Sequence, residues 1–210
     1  MRASILFVIM VVLLWSCGTS KKSIGSKRTF SGEQEQLIMA GDSITSMRVF
    51  LITNQEDSIL LRTPSEQVEV LPNDPLLKRL ADRMLATVTD SLSLGVGIAA
   101  PQVGILKKMI LVQRLDKENF PFETYINPEI KEYSERKRPC REGCLSIPVR
   151  RDTTTTRSYE ILVAYDRLDG SHHEERVEDF VSVIFQHEID HLNGILYIDH
   201  LAQEVKEALD

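Results

Sequence analysis

Residues 186–191 read Gln-His-Glu-Ile-Asp-His, and no other stretch constrains the fold of this chain as strongly. They lie inside a longer run, residues 180–192, in which apolar residues recur at the spacing of an α-helix. Asp179 is placed to cap the start of this helix and Gly194 to end it. The sequence therefore predicts a C-terminal helix that carries two histidines.

The two histidines are four residues apart, so His187 and His191 should lie one above the other on the same helix face. Two imidazoles in this arrangement can bind one metal ion, and Glu188 beside them can serve as a general base. The alternative is a solvated helix whose histidines never meet a metal. Taken alone, the motif indicates a hydrolytic metal site without defining the reaction.

The chain has 210 residues, enough for one domain with a full core and some additional chain at one end. Its apolar fraction of 42% and charged fraction of 27% are ordinary for a globular protein and do not indicate disorder or a multispan membrane protein. The net charge is −6, and Lys and Arg form no block beyond a short tail after Cys17, so we predict no nucleic-acid partner. Three cysteines are too few for a disulfide scaffold.

The first residues predict export. Arg2 precedes an apolar run, residues 5–15, that is typical of a signal peptide and too short for a membrane span, which needs about 20 residues. Residues 14–17 resemble the lipid-attachment box of bacterial lipoproteins, which makes Cys17 the candidate lipidation site. Ordinary cleavage nearby and an uncleaved anchor are the alternatives. Residues 18–28 are rich in Gly, Ser and Lys, as flexible tethers are.

We therefore expect three segments. Residues 1–17 are the predicted signal peptide with its lipid-attachment box, residues 18–46 a tether with a short helical extension, and residues 47–210 the main domain. This organisation predicts a lipoprotein anchored to the membrane of the bacterial cell envelope. The competing hypothesis is that translation starts at Met47 and gives a cytoplasmic protein.

Two further helices are predicted before the strands begin. Ser31 and Gln34 can form a capping box for a short helix over residues 31–40. Residues 47–52 alternate as a strand does, and residues 54–69 are polar and predicted to be a loop. Asp74 and Pro75 are typical of the start of the next helix, whose buried stripe should be Leu76, Leu77, Leu80, Met84, Leu85 and Val88.

From residue 95 onward the sequence predicts mostly short strands. Residues 122–126 form one of them, and Asn127-Pro128 after it is an expected turn. Residues 160–165 and 172–177 flank Asp169-Gly170, a strong hairpin signal. The order helix, strands, helix indicates an α+β fold, with short antiparallel strands packed around the C-terminal metal-binding helix.

The third metal ligand decides between classes of hydrolase. One group of metalloproteases has a histidine six residues after the second one, but that position is Tyr197 here. Glu204 and Glu207 are available downstream, on a predicted surface helix. Cys144 is the better candidate, because a Cys/His/His set with one open position is a plausible catalytic site. A buried free cysteine is the alternative.

Two stretches can complete such a site. Gly143 and Pro148 suggest a shaped backbone segment, which can point the N–H of Leu145 towards a developing negative oxygen. Residues 95–104 begin Gly-Val-Gly but lack the spacing of a phosphate loop. Their small residues permit the close approach of a peptide-like ligand, and Gln102 offers an amide donor. The alternative is a glycine-rich turn with a surface glutamine.

Three motifs, Gly-x-Gly-x-Ala-Ala-x-Gln, Glu-Gly-Cys-Leu-Ser and His-Glu-x-Asp-His, resemble those of the peptide deformylase family and occur in its order. The resemblance covers roughly residues 47–201. It implies an α+β fold and hydrolytic removal of the formyl group from N-formylmethionyl peptides. It also implies one divalent metal ion per chain, typically Fe2+ and replaceable by Zn2+, Ni2+ or Co2+, bound by Cys144, His187 and His191.

The same resemblance implies roles for three further residues. Glu188 would be the catalytic acid and base, while Gln102 and the Leu145 N–H would stabilise the oxyanion. The first 46 residues depart from the usual cytoplasmic enzyme and leave location and physiological substrate open. A metallopeptidase acting on ordinary amides and a non-catalytic envelope protein that binds peptides are the competing hypotheses.

Helix geometry indicates where a substrate side chain would bind. Phe180, Val183 and Ile184 lie one and two turns before His187 on the same face, so they can wall an apolar slot suited to methionine. The other residues that we expect to contact the peptide are Val96, Gly97 and Gly143.

Overall fold

Seven β-strands and five α-helices make up the described part of the chain, which in this computed structural model is residues 29–91 and 95–209. The helices are α1 (Gly32–Met39), α2 (Gln55–Leu61), α3 (Pro75–Val88), α4 (Asp179–Leu192) and α5 (Tyr197–Glu207). The strands are β1 (Gly97–Ala99), β2 (Met109–Gln113), β3 (Phe122–Tyr133), β4 (Cys140–Cys144), β5 (Ile147–Thr154), β6 (Glu160–Asp166) and β7 (His172–Glu178). The strands pair antiparallel, so the predicted α+β class is confirmed.

The predicted signal peptide, the lipidation site at Cys17 and the tether at residues 18–28 lie outside the described residues. Among the residues that the structure describes, none of the helices is both long and apolar enough to span a bilayer.

Helix α1 packs against α3 and belongs to the core. Ile38 on α1 is fully buried, and Phe30 just before the helix is 3% exposed. The buried guanidinium of Arg83 on α3 donates hydrogen bonds to the carbonyls of Leu37 and Ile38 at 2.8 and 3.0 Å. Residues 29–46 therefore share one core with the residues that follow them.

The main sheet lies between α3 and α4. Its five strands lie in the order β1-β2-β3-β6-β7, and β4 pairs with β5 in a separate two-stranded hairpin. Met109 and Leu111 of β2 join the apolar cluster of α3, whereas Ile110 and Val112 join the cluster of α4. Alternate residues of a strand point to opposite faces, which explains why this strand is apolar throughout.

Helix α4 is held against the sheet by its apolar face. Phe185 is fully buried, and its ring meets that of Tyr125 edge-on with the centroids 4.6 Å apart. Val181, Ile189 and Leu192 join the same cluster, and the burial of each contributes about 1.5–3 kcal/mol. This packing fixes the position of the helix that carries the two histidines.

Several local predictions are confirmed. The capping box of Ser31 and Gln34 is present, and Asp74 caps α3 with Pro75 in its first turn. Gly194 follows α4 in the left-handed region, with φ of 72°. The hairpin of β6 and β7 turns through residues 167–171, as Asp169-Gly170 predicted.

Two details of the helices differ from the predictions. Asp179 does not cap α4: Glu178 holds the cap position, and the carboxylate of Asp179 forms an ion pair with Arg138. Leu85 is 38% exposed, because it lies at the edge of the stripe that α3 packs into the core.

The predictions for residues 47–69 are wrong in part. Residues 47–52 belong to no strand. Two of their N–H groups instead donate to single carbonyls, Phe50 to Gln102 and Ile52 to Ser146, and those of Met47 and Leu51 donate to the side chains of Thr87 and Asp57. Within the predicted loop, residues 55–61 form α2, capped by Asn54. A polar composition alone does not distinguish a helix from a loop, because a capping residue such as Asn54 can stabilise a helix in a polar segment.

The expected turn at Asn127-Pro128 is a bulge inside β3. Asn127 has φ of 50°, and the pairing of β3 with β6 shifts register between Ile126 and Glu129. The Asn127 side chain accepts the N–H of Val68 at 2.8 Å and donates to its carbonyl at 2.9 Å. A bulge tolerates Pro128, which has no N–H to give to the ladder.

The close approach behind Gly194 generates a stability prediction. A Cβ at this position would come within 2.4 Å of the Arg62 carbonyl oxygen, and the positive φ is unfavourable for any other residue. We expect Gly194→Ala to lower the free energy of unfolding by about 2–4 kcal/mol, measured by urea denaturation.

Gly32→Ala is the matched control. Gly32 is the first residue of α1, and a Cβ there meets nothing within 4 Å. This substitution should be neutral or slightly stabilising, since Ala favours the helix. Equal unfolding midpoints for the two variants would contradict the prediction.

Candidate metal centre and active site

The structure brings together the three predicted metal ligands. Cys144 ends β4, while His187 and His191 lie one turn apart on α4. The ligand atoms of the three side chains all lie within 4.8 Å of one another, and Cys144 Sγ is 3.1 Å from His191 Nε2. The competing Glu204 is used elsewhere, because its carboxylate accepts the N–H groups of Thr155 and Thr156.

The donor set fits one divalent transition metal ion. A thiolate and two imidazoles suit ions of intermediate softness, and three protein ligands leave a position for water or substrate. His191 is 1% exposed and His187 is 9% exposed, so a bound ion would be shielded on the protein side. The residues present therefore form a site for a single metal ion.

Glu142 orients one of the ligands, a role that the sequence alone did not reveal. His187 Nδ1 lies 2.7 Å from Glu142 Oε2, so the ring nitrogen donates to the carboxylate and leaves Nε2 for the metal. Arg157 grips the same carboxylate with two hydrogen bonds, Nε to Oε1 at 2.8 Å and Nη2 to Oε2 at 3.0 Å. The side chains of Glu142 and Arg157 are both 3% exposed.

This environment keeps Glu142 ionised. Burial alone would raise the pKa of the Glu142 carboxyl group, but the hydrogen bonds from His187 and Arg157 outweigh it and hold the pKa below its usual range. A permanent carboxylate at this position favours the His187 tautomer that can bind a metal.

The same network explains the aspartate of the helix motif. Arg157 Nη1 donates to Asp190 Oδ2 at 2.5 Å, and His200 Nε2 lies 2.8 Å from the same oxygen. A second cavity of about 260 Å³ lies against these three residues. Asp190 thus helps to hold the Arg157 guanidinium in place. Nothing in the sequence indicated that Arg157 takes part in the site.

Glu188 is buried beside the metal ligands. It is 4% exposed, and its Oε2 has no hydrogen-bond partner among the described residues. Burial raises the pKa of Glu188 to about 7, which suits a group that must both accept and release a proton near neutrality. A bound cation would oppose this rise, because it stabilises the carboxylate.

Gly97 makes room for this carboxylate. A Cβ on Gly97 would come within 2.5 Å of Glu188 Oε1 and 2.8 Å of Ile184 Cγ2. The glycine of the sequence motif therefore allows β1 to lie against α4 beside the Glu188 carboxylate.

Gln102 is a positioned donor and not the surface glutamine of the alternative interpretation. It is 2% exposed and lies in a short 3-10 helix, Ala100–Val103. Its Oε1 accepts the N–H of Ala99 at 2.9 Å, which turns Nε2 towards Ser146 Oγ at 3.3 Å and Cys144 Sγ at 3.5 Å. Its amide hydrogens therefore face the metal ligands.

A cleft of about 720 Å³ opens over this site. All the residues that we expected to contact substrate line it: Val96, Gly97, Gln102, Gly143, Leu145, Phe180, Val183 and Ile184. Cys140 lines it too, as a free thiol, and β4 turns Cys140, Glu142 and Cys144 to the same face. The alternation of residues along β4 was the sequence feature from which Cys140 and Glu142 could have been predicted to share a face with Cys144.

An α+β fold with a Cys/His/His site for one metal ion, a buried carboxylate beside it and a cleft above it defines a mononuclear metallohydrolase. The family is given by comparison with known proteins. A family model for polypeptide deformylase matches residues 49–207, and the chain belongs to the peptide deformylase family, whose members remove the formyl group from N-formylmethionyl peptides.

Individual relatives agree. A peptide deformylase of Mesorhizobium japonicum is 39% identical over 145 residues, which cover 69% of this chain and 80% of the relative. A class I type b peptide deformylase from Acinetobacter baumannii, solved with Met-Ala-Ser bound, has a TM-score of 0.66 at 36% identity and matches over 74% of this chain and 98% of that one. The same enzyme with actinonin bound gives a TM-score of 0.65, with the same identity and coverage. This chain is accordingly a peptide deformylase with a peptide substrate.

The hydrogen bond between Glu142 and His187 generates a metal-affinity prediction. Glu142→Gln removes the charge that faces buried Arg157 and weakens the acceptor for His187 Nδ1. We expect metal affinity to fall about 10- to 100-fold, measured by competition with a chelator.

Glu132→Gln provides the control, since Glu132 is 56% exposed and pairs with Arg176 on the surface. It should leave metal affinity unchanged. A folded Glu142→Gln protein that binds metal as tightly as the parent would show that Glu142 does not support the site.

Proposed function

We propose that this peptide deformylase works with a single Fe2+ ion held by Cys144, His187 and His191, and that Glu188 carries the proton during hydrolysis. The observation that carries the proposal is that the three ligand atoms lie within 4.8 Å of one another, beside a cleft that Cys144, His187 and Glu188 line. Fe2+ accepts a thiolate and two imidazoles, and Zn2+, Ni2+ and Co2+ suit the same donors.

A bound divalent ion supplies Lewis acidity, which lowers the pKa of water and polarises a carbonyl group. The remaining work falls to the side chains. Glu188 takes the proton from the attacking water and delivers it to the leaving amine. Its burial beside the metal ligands supports both steps.

Two groups are proposed to stabilise the oxygen on which negative charge develops. The Gln102 amide already faces Cys144, so a small shift of one N–H would bring it to a formyl oxygen beside the metal. The N–H of Leu145, the residue after Cys144, would be the second donor. Gln102 lies in the short 3-10 helix Ala100–Val103, and Leu145 lies in the turn between β4 and β5.

The apolar wall of the cleft supports methionine as the side chain next to the formyl group. Phe180, Val183 and Ile184 line it from α4, and Val96 and Gly97 border it from β1 and the residue before it. An unbranched thioether adapts to such a slot better than a branched side chain does.

One experiment tests the core of the proposal. Protein purified without oxygen should contain about one Fe2+ per chain and release formate from a formyl-Met peptide. The matching unformylated peptide should remain intact. Cleavage of the unformylated peptide would favour the metallopeptidase hypothesis, and absence of bound metal would favour the non-catalytic one.

The role of Glu188 is tested by Glu188→Gln, which keeps the shape of the side chain but cannot carry the proton. Metal content should stay at the parent level while turnover falls by about 10²- to 10⁴-fold. Glu178→Gln, the same change at an exposed position just before α4, is the control and should keep turnover. Near-normal turnover in Glu188→Gln would refute the assignment.

We also propose that the protein is exported and anchored through a lipid on Cys17. The apolar run at residues 5–15 and the residues around Cys17 support this location. The core position of Phe30 and Ile38 supports it further, because a chain that began at Met47 would lose both and leave Arg83 without its carbonyl partners. A lipidated N-terminal cysteine with several acyl chains binds a bilayer firmly.

In its native bacterium the protein should fractionate with membranes, and mass spectrometry should find lipid on Cys17. Cys17→Ala should release it from the membrane while formate release per chain stays unchanged. Recovery of the unaltered protein as a soluble chain that starts at Met47 would refute export.

A further inference from the structure

The exposed rim of the cleft is positively charged, although the whole chain carries a net charge of −6. Arg141, Arg150 and Arg151 all line the cleft. The only carboxylates among the lining residues are Glu142 and Glu188, and both are buried. A ligand that enters the cleft therefore meets arginines before it meets any acidic group.

Two of these arginines share the outer face of the β4–β5 hairpin. The pairing sets Arg141 opposite Thr153 and Gly143 opposite Arg151. Residues opposite each other, or two apart on one strand, point to the same side, so Arg141, Gly143 and Arg151 lie on one face. The other face carries Glu142 and Cys144, so the two arginines border the site on its solvent side.

The Arg151 side chain is held close to the metal centre. A Cβ on Gly143 would lie 3.0 Å from Arg151 Cγ and 3.1 Å from its Nε, so the arginine stem crosses over the glycine. Gly143 directly precedes the metal ligand Cys144. The absence of a side chain at Gly143 thus leaves room for the Arg151 side chain beside the cleft.

Arg141 and Arg151 also differ from Arg150 in whether the guanidinium group has an ion-pair partner. Arg150 is paired with Asp152 at 2.7 Å. Neither Arg141 nor Arg151 forms an ion pair or a side-chain hydrogen bond with any other described residue. Two exposed guanidinium groups on one face, without a counter-ion, are free to bind an anion.

We propose that Arg141 and Arg151 bind a carboxylate of the substrate peptide beyond its methionine. The inference rests on the proposed function, which sets the formyl group at the metal and the methionine in the apolar slot. The rest of the peptide must then leave over the rim. An extended chain advances about 3.4 Å per residue, so the next two residues lie roughly 7 Å further out, within reach of long side chains.

The carboxylate can come from two sources. One is an acidic side chain in the second or third residue, and the other is the C-terminus of a short free peptide. Guanidinium groups bind either by paired N–H donors, and two exposed arginines acting on one carboxylate give about threefold to tenfold in kcat/KM when screening by salt is low.

The test uses the full-length metal-loaded protein and measures formate release from four substrates. Formyl-Met-Ala-Ser amide and formyl-Met-Ala-Gln amide are neutral, formyl-Met-Ala-Ser acid adds a terminal carboxylate, and formyl-Met-Ala-Glu amide adds a side-chain carboxylate. We expect one or both anionic peptides to have a kcat/KM about threefold to tenfold higher, through KM, with the gap closing at about 1 M salt. The anionic peptide whose kcat/KM is higher identifies the source of the carboxylate.

Variants assign the effect to the two arginines. Arg141→Gln and Arg151→Gln should each reduce the preference, the double variant should abolish it, and Arg151→Glu should shift it towards a lysine-containing peptide. Arg176→Gln removes the same charge from an exposed site on β7 that pairs with Glu132 and Glu160, and it should keep the preference. Equal kcat/KM for anionic and neutral peptides, or a preference that survives in the double variant, would overturn the proposal.

A binding measurement separates this proposal from the proposed function. Calorimetry needs no turnover and uses two pairs of unformylated peptides, Met-Ala-Glu amide with Met-Ala-Gln amide and Met-Ala-Ser acid with Met-Ala-Ser amide. Tighter binding of the anionic member of either pair, lost in the double variant, would support the arginine site even if no substrate released formate. Formate release from the neutral amide, with equal binding within both pairs, would uphold the enzyme and overturn only the arginine site.

Discussion

The buried contact of Glu142 with His187 and Arg157 is the interaction on which the site depends. It joins the hairpin of β4 and β5 to α4 and so joins Cys144 to the two histidines. A buried carboxylate and guanidinium pair is strongly destabilising when one partner is lost, because the other stays charged without water. The network therefore ties the geometry of the metal site to the packing of two separate elements.

Helix α4 serves the core and the site at once, and its sequence shows how. Phe185 and Ile189 pack into the sheet, while His187 and Glu188 line the cleft and His191 faces Cys144 of the hairpin. Every one of these side chains is nearly buried, so the helix has no solvated stripe along this stretch. The polar groups are accommodated in three ways. His187 hydrogen-bonds to Glu142, Glu188 fits the space beside Gly97, and His191 lies at the position for the metal.

Sequence predicted those features that depend on local spacing. The i to i+4 histidines, the capped helices and the hairpin at Asp169-Gly170 all follow from rules within one element. Arg157 and the bulge at Asn127 were not predictable, because each depends on a partner distant in sequence, Glu142 and Asp190 in one case and Val68 in the other. The motif glycines were recognised as permissive, but the particular neighbours, Glu188 and Arg151, emerged only from the packing.

The packing of α1 also limits how an anchored enzyme could meet its substrate. Because Phe30 already packs into the core, only the residues from 18 to 29 separate the proposed lipid on Cys17 from the folded domain. Fully extended, such a segment spans at most roughly 40 Å. The proposed anchor would therefore keep the start of the folded domain within that distance of the bilayer surface. An arginine rim that recognises a free carboxylate would suit short peptides, since both of their ends lie within one cleft.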